Sequence, residues 1–199
     1  MKNINSYITE KLNLSAHKYT CKPKDKDELK SIIKERLNKD KNANLNDIDV
    51  SDITDMSYLF RNLNPHNIDI SEWDVSNVKN MRLMFNGCEN FNSDLSNWDV
   101  SNVENMSYIF NGCKNFNSDL SGWDVSNATN MIGVFNHCEK FNCDLSEWDV
   151  TNVKNMGYMF AYCKKFNCDL SDWDVSNVND ISYMFYGCKS LKNTPKWYK

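Results

Sequence analysis

The residues in this sequence that could do chemistry recur at a fixed interval. Cys88, Cys113, Cys138, Cys163 and Cys188 stand 25 residues apart. Asp69, Asp94, Asp119, Asp144 and Asp169 form one carboxylate row, and Asp74, Asp99, Asp124, Asp149 and Asp174 another. A thiol row invites a metal or redox reading, but equivalent positions in a stack lie on a line, whereas zinc needs four ligands converging on a tetrahedron. Small buried thiols packing as hydrophobes are therefore expected. Cys143 and Cys168 are a second pair on adjacent repeats, with a Cα separation of about 5 Å that would satisfy disulfide geometry; free thiols are expected in a reducing compartment. The Asp rows place like charges side by side, so each carboxylate must be hydrogen-bonded locally or neutralised by a cation. Local capping and turn formation are expected, with calcium as the alternative. Asn77, Asn102, Asn127, Asn152 and Asn177 read as a ladder that satisfies backbone groups. His17, His66 and His137 fall in unrelated phases of the repeat, and there is no glycine-rich phosphate loop. No catalytic constellation, cofactor site or metal site is expected.

The unit that must position these rows is the repeat itself. Trp73, Trp98, Trp123, Trp148 and Trp173 share the 25-residue period, as do Phe85, Phe110, Phe135, Phe160 and Phe185, while Phe91, Phe116, Phe141, Phe166 and Leu191 follow each Cys by three. An eroded copy begins at Leu45, with Ile48 in the Trp position and Leu63 in the Cys position. A fixed period of this length marks a chain in which each unit buries its apolar face against its neighbours. Within a unit, Val103, Met106, Ile109, Phe110 and Cys113 recur at steps of three and four, which predicts a helix. The run NSDLSNWDV alternates Leu95, Trp98 and Val100 with polar residues, which predicts a short strand and a turn. The expected fold is α/β: a right-handed, leucine-rich-repeat-like solenoid of six 25-residue repeats, each a short parallel strand plus a helix, over residues 45–194.

An N-terminal helical cap is expected over residues 1–44. Leu29, Ile32, Ile33 and Leu37 form one stripe of an amphipathic helix at about 25–38, with Asp25 or Asp27 to cap it. INSYITEKLNL reads as a short helix and HKYTCK as a short edge strand. Residues 195–199 form a C-terminal cap, because Pro195 falls where the next Leu would stand and offers no N–H to a further strand.

Charge narrows the class of partner. Residues 1–44 hold 11 Lys and Arg against 6 Asp and Glu, a net of +5, so the chain's −4 leaves −9 on the remainder. An acidic stack argues against a nucleic-acid groove, which needs a basic stripe. No run of 18 apolar residues predicts membrane insertion. The start, MKNINSYITEKLNLS, has no apolar leader core, so a cytoplasmic protein is expected, or a cell-surface one if a leader precedes this sequence.

The recurring blocks MFNGCENF, IFNGCKNF and MFYGCKSL, linked by DLSxWDVSNV, resemble the repeats of the BspA-like leucine-rich-repeat family, in particular the tandem branch of bacterial and mycoplasma surface lipoproteins. KPKDKDELKSIIKERLNKDKNANLNDIDVSDITDMSYLF is similar to the cap that precedes such repeats. The resemblance implies a right-handed α/β solenoid that binds other macromolecules, often at a cell surface, with no catalytic residues.

Two surfaces follow as candidate binding sites for a protein partner. Tyr58, Tyr108, Tyr158 and Tyr183 share an outward phase with Leu83, interrupted by Gly133. The variable position before Trp holds Asp47, Glu72, Asn97, Gly122, Glu147 and Asp172, making the strand face acidic and suited to a basic partner. The expected function is a monomeric, non-enzymatic protein-interaction module, with a structural or adhesion segment of a bacterial surface protein as the alternative.

Overall fold

The computed structural model describes residues 19–199. INSYITEKLNL and His17 lie outside the described residues. Of the HKYTCK run, Cys21 forms a single parallel bridge with Ile48.

Among the described residues there is one helix, α1, Lys26–Lys39. Asp25 caps it by accepting from the Glu28 N–H, while Asp27 and Glu28 in the first turn and Arg36 and Lys39 in the last complement its dipole. Leu29, Ile33 and Leu37 are buried and belong to the main core. Polar side chains tie α1 to the first repeat: Lys26 to Asp55 and Ser57, Lys30 to the Tyr58 carbonyl, and Arg36 to Asp47.

The repeats that follow are neither helices nor strands, and this overturns the α/β solenoid of strand–helix units. Each 25-residue repeat is a rung of linked tight turns, joined to its neighbours by isolated parallel bridges such as Asn80↔Asn105 and Asn105↔Asn130, and no sheet forms. In the rung containing Met81, alternate N–H groups leave it: Met81, Leu83, Phe85 and Gly87 donate to the carbonyls of Asn105, Ser107, Ile109 and Asn111 at 2.8–2.9 Å. The N–H groups between them turn inward, Met84 to Met81, Asn86 to Leu83 and Cys88 to Phe85. Every backbone donor in the run is thus satisfied, half of them along the stack and half within the rung.

This alternation requires two left-handed residues per rung. Tyr58, Leu83, Tyr108, Gly133, Tyr158 and Tyr183 all have φ between 55° and 63°. Four residues later Asn62, Gly87, Gly112, His137, Tyr162 and Gly187 have φ between 59° and 76°. A right-handed helix cannot pass through either position, which is why the helix expected over SNVENMSYIFNGC is absent. The apolar spacing misleads because linked three-residue turns bring every third or fourth side chain to the same side, as a helix does. Val103, Met106, Ile109, Phe110 and Cys113 are all fully buried, but from a chain that reverses its hand twice.

The expected strand is also a turn. The Trp98 N–H donates to the Leu95 carbonyl and the Val103 N–H to the Val100 carbonyl, so NSDLSNWDV bends round two corners instead of extending. Leucine-rich repeats of strand and helix are therefore not the architecture of this chain.

The aromatic rows fill the centre of the stack. Trp73 lies over Trp98 at 6.4 Å and 5°, Phe85 over Phe110 at 5.7 Å, and Phe91 over Phe116 at 5.9 Å. Each Trp indole N–H donates to a carbonyl of the preceding rung, as Trp98 does to Ile70 and Trp123 to Leu95. The indole thereby buries its large apolar body without stranding its donor. At the C-terminal end Trp197 repeats this bond to Leu170, Pro195 is buried in the Leu position, and Tyr198 packs edge-on against Phe185 at 5.0 Å.

Candidate interaction surface

The candidate reactive rows turn out to be engaged in holding the stack. Each thiol of the main Cys row donates to a carbonyl of the preceding rung: Cys88 to Phe60, Cys113 to Phe85, Cys138 to Phe110, Cys163 to Phe135 and Cys188 to Phe160, at 2.9–3.1 Å. A small residue carrying one weak donor meets both needs of the site. Burial pushes the Cys88 thiol up to about 12 and holds Cys113, Cys138 and Cys163 well above the ordinary thiol range. These thiols are unreactive by that measure.

Cys143 and Cys168 are free and half-buried. They sit in the row of Ser93 and Ser118, and each sulfur lies beside an Asp of the preceding rung, Cys143 at 3.4 Å from Asp119 and Cys168 at 3.3 Å from Asp144. Burial pushes Cys168 up to about 11.

The Asp rows form turns. Asp94, Asp119 and Asp144 accept from the N–H two residues ahead, and that bond holds their carboxyls below the usual aspartate range. For Asp99, Asp124 and Asp149 the hydroxyl of Ser101, Ser126 or Thr151 is the main cause, followed by the same residue's N–H. Asn77, Asn102, Asn127, Asn152 and Asn177 each donate to a carbonyl of the preceding rung, at 2.7–2.9 Å. Among the described residues, no three His, Cys, Asp or Glu side chains group as a cation would require. Surface depressions are open and lined by Asn, Asp, Ser and Lys of the repeat.

The acidic positions expected on a strand face stand instead on corner turns, since there is no sheet. Glu72, Asn97, Glu147 and Asp172 are exposed. Asp47, the first of that series, is paired with Arg36 of α1 at 2.9 Å. Asp47 is thereby taken up in holding α1.

Exposure is graded along the tyrosine row. Tyr58 is half-buried beneath the guanidinium groups of Arg61 and Arg82, at 5.5 and 5.6 Å from its ring centre. Tyr108 is half-buried and its ring lies over Gly133, where an added Cβ would run into the ring. Tyr158 and Tyr183 are exposed and stacked on each other at 5.1 Å.

Two tyrosines missed by the row pattern complete the surface. Tyr162 stacks on His137 at 4.3 Å and meets Tyr186 edge-on at 5.3 Å, and Tyr186 meets Tyr183 at 6.0 Å. Tyr158, Tyr162, Tyr183 and Tyr186 thus make a contiguous exposed aromatic patch on the last two rungs. Tyr162 stands where other rungs have Asn, Gly or His, and Tyr186 where they have Arg, Asn or Ala. The signal was departure from the repeat, not membership of it. The Ala161 substitution in the same area leaves the buried Asn136 Oδ1 without a donor, whereas two rungs below the Asn111 amide donates to Asn86 at 2.5 Å.

No curated protein and no solved structure matches the chain. A family profile described as "Mycoplasma protein of unknown function, DUF285" matches residues 28–131 and 120–198, which together take in most of α1 and every rung. The chain belongs to the DUF285 family.

Proposed function

We propose that this chain is a non-enzymatic interaction module in which a stack of rungs presents side chains to a macromolecular partner. The observation that carries the reading is the patch of Tyr158, Tyr162, Tyr183 and Tyr186, whose rings are 38–57% exposed and in mutual contact. Tyrosine combines a large rigid contact area with a polar end, the combination that anchors protein interfaces. The repeat's own Cys, Asp, Asn and Trp rows are consumed by the stack, so the residues free to vary are those facing outward.

The test is a capture experiment from mycoplasma lysate and from host-cell extract. Wild type is compared with a Tyr158→Ala, Tyr183→Ala, Tyr186→Ala variant and with a Glu72→Lys, Glu147→Lys, Asp172→Lys variant, all matched for thermal stability. Loss of a specific protein with the first variant alone supports the aromatic patch. Loss with the second alone moves the site to the acidic corners and to a basic partner. Equal recovery by all three overturns both surfaces.

A second reading, an adhesion segment of a cell-surface protein, is favoured by the resemblance to BspA-like surface repeats and by the mycoplasma family. Among the described residues no helix is long and apolar enough to cross a membrane, so display would rest on other means. Binding of purified protein to intact host cells, abolished by the tyrosine variant, would support it.

A further inference from the structure

We infer that the C-terminal edge of the stack, Ile181 to Gly187, is a binding site for an acidic peptide segment that adds to the ladder as a further rung would. In each earlier rung the N–H groups at four alternate positions donate to the following rung, as those of Met156, Tyr158, Phe160 and Tyr162 do to Asp180, Ser182, Met184 and Tyr186. The equivalent groups of the last rung are those of Ile181, Tyr183, Phe185 and Gly187. Among the described residues they have no acceptor. The intervening groups close inward as usual, Met184 to Ile181, Tyr186 to Tyr183 and Cys188 to Phe185.

The tail beyond this rung covers the core but not the ladder. Pro195 is buried, Trp197 donates to Leu170, and Trp197 and Tyr198 pack on Phe185. Tyr183, stacked on its counterpart Tyr158, is 57% exposed. An edge of donors spaced two residues apart is a template for a backbone that follows the rung's turns and offers carbonyls at the same spacing.

Charge selects the occupant. Residues 181–199 contain Lys189, Lys192, Lys196 and Lys199 and no Asp or Glu, whereas residues 45–180 taken together are acidic. The carboxylate just before the ladder, Asp180, is engaged by the Ser182 N–H and by Asn155. A segment with four backbone donors, continuing into a tail with four lysines and no carboxylate side chain, fits a partner that brings carbonyls and carboxylates. A second copy of this chain fits poorly. Its opposite end is covered by α1, which leaves Leu59 and Phe60 with no exposed surface, and two C-terminal edges would set donor against donor.

The probe is a short acetylated and amidated peptide of alternating glutamate and valine, titrated into ¹⁵N-labelled protein at low salt. Shifts and slowed exchange at the amides of Ile181, Tyr183, Phe185 and Gly187 are expected. A Lys189→Glu, Lys192→Glu, Lys196→Glu variant, altered only at exposed positions, should bind roughly tenfold more weakly. No response at millimolar peptide overturns the inference, as does equal binding by that variant or of a peptide with lysine in place of glutamate. Self-association in sedimentation velocity that protects the same four amides would assign the edge to a second copy and overturn it too. These readouts stand apart from the tyrosine-patch captures, so either proposal can fail alone.

Discussion

Raising the pH should unfold this protein through its buried thiols. Cys88, Cys113, Cys138 and Cys163 have no exposed surface, and burial holds each above the ordinary value of 9.0, Cys88 at about 12. In the unfolded chain the same thiols ionise near their ordinary value. A raised folded pKa means the contribution is intact below about pH 9 and is lost as pH climbs toward the folded values. Within that window the unfolded state binds fewer protons, so stability falls with pH. Each thiol contributes about 1.4 kcal/mol per pH unit, and the four together about 5–6 kcal/mol per unit. That is comparable to the whole stability of an ordinary domain, about 5–15 kcal/mol. The assay is denaturant unfolding from pH 7 to 10.5 by tryptophan fluorescence, on wild type and on Cys113→Ala. The variant should be less stable at pH 7, having lost the bond to Phe85, yet its pH slope should be shallower by about 1.4 kcal/mol per unit. An unchanged slope, or fast labelling of these thiols in the folded protein at pH 9, would refute the reasoning.

Further outcomes follow from single positions, each read in denaturant or thermal melts. Gly122→Ala should be neutral within about 0.5 kcal/mol, since nothing lies near the added methyl. Gly112→Ala has room, its nearest neighbours being 3.6 Å away, but φ is +76°, so the left-handed backbone alone should cost about 1–2 kcal/mol; Gly133→Ala should cost more, because the methyl meets the Tyr108 ring. Trp123→Ala should cost about 3–5 kcal/mol by removing a 4% exposed indole and its bond to Leu95. Ala161→Asn should add up to about 1 kcal/mol by supplying the donor that Asn136 Oδ1 lacks. Because Asp94, Asp99, Asp119, Asp124, Asp144 and Asp149 are held below the usual aspartate value of 3.8, their contribution is present above it and lost as pH falls through the folded values; melting temperature should hold steady down to pH 5 and drop below about 4.

What was legible in the sequence was the register. Trp, Phe, Cys and Asp at a constant interval declare which residues meet, because a stack places equals on equals, and the local roles of the Asp and Asn rows follow from their short polar side chains. The stripe of Leu29, Ile33 and Leu37 behind Asp25 was equally plain. The conformation of the rung was not, because burial at steps of three and four does not encode the sign of φ. The clues lay in the polar residues: Asp-x-Ser or Asn-x-Ser recurs up to three times per rung, a density of turn-forming pairs that no helix or strand would carry. Tyrosine at a left-handed position ran against intrinsic preference, so Tyr58, Tyr108, Tyr158 and Tyr183 pointed to a helix where there is none. Tyr162 and Tyr186 stand outside any shared row, so the repeat period carries no signal for them.

The inter-rung bonds have a consequence for how such a chain changes over generations. The ladder bonds, the thiol bonds and the indole bonds from Trp73 to Trp173 join residues 24 or 28 apart. Duplicating or deleting one complete rung of coding sequence leaves every donor facing an acceptor of the same kind, whereas a single-codon slip within a rung misaligns all of them at once. Length can therefore drift in whole rungs with little loss of fit.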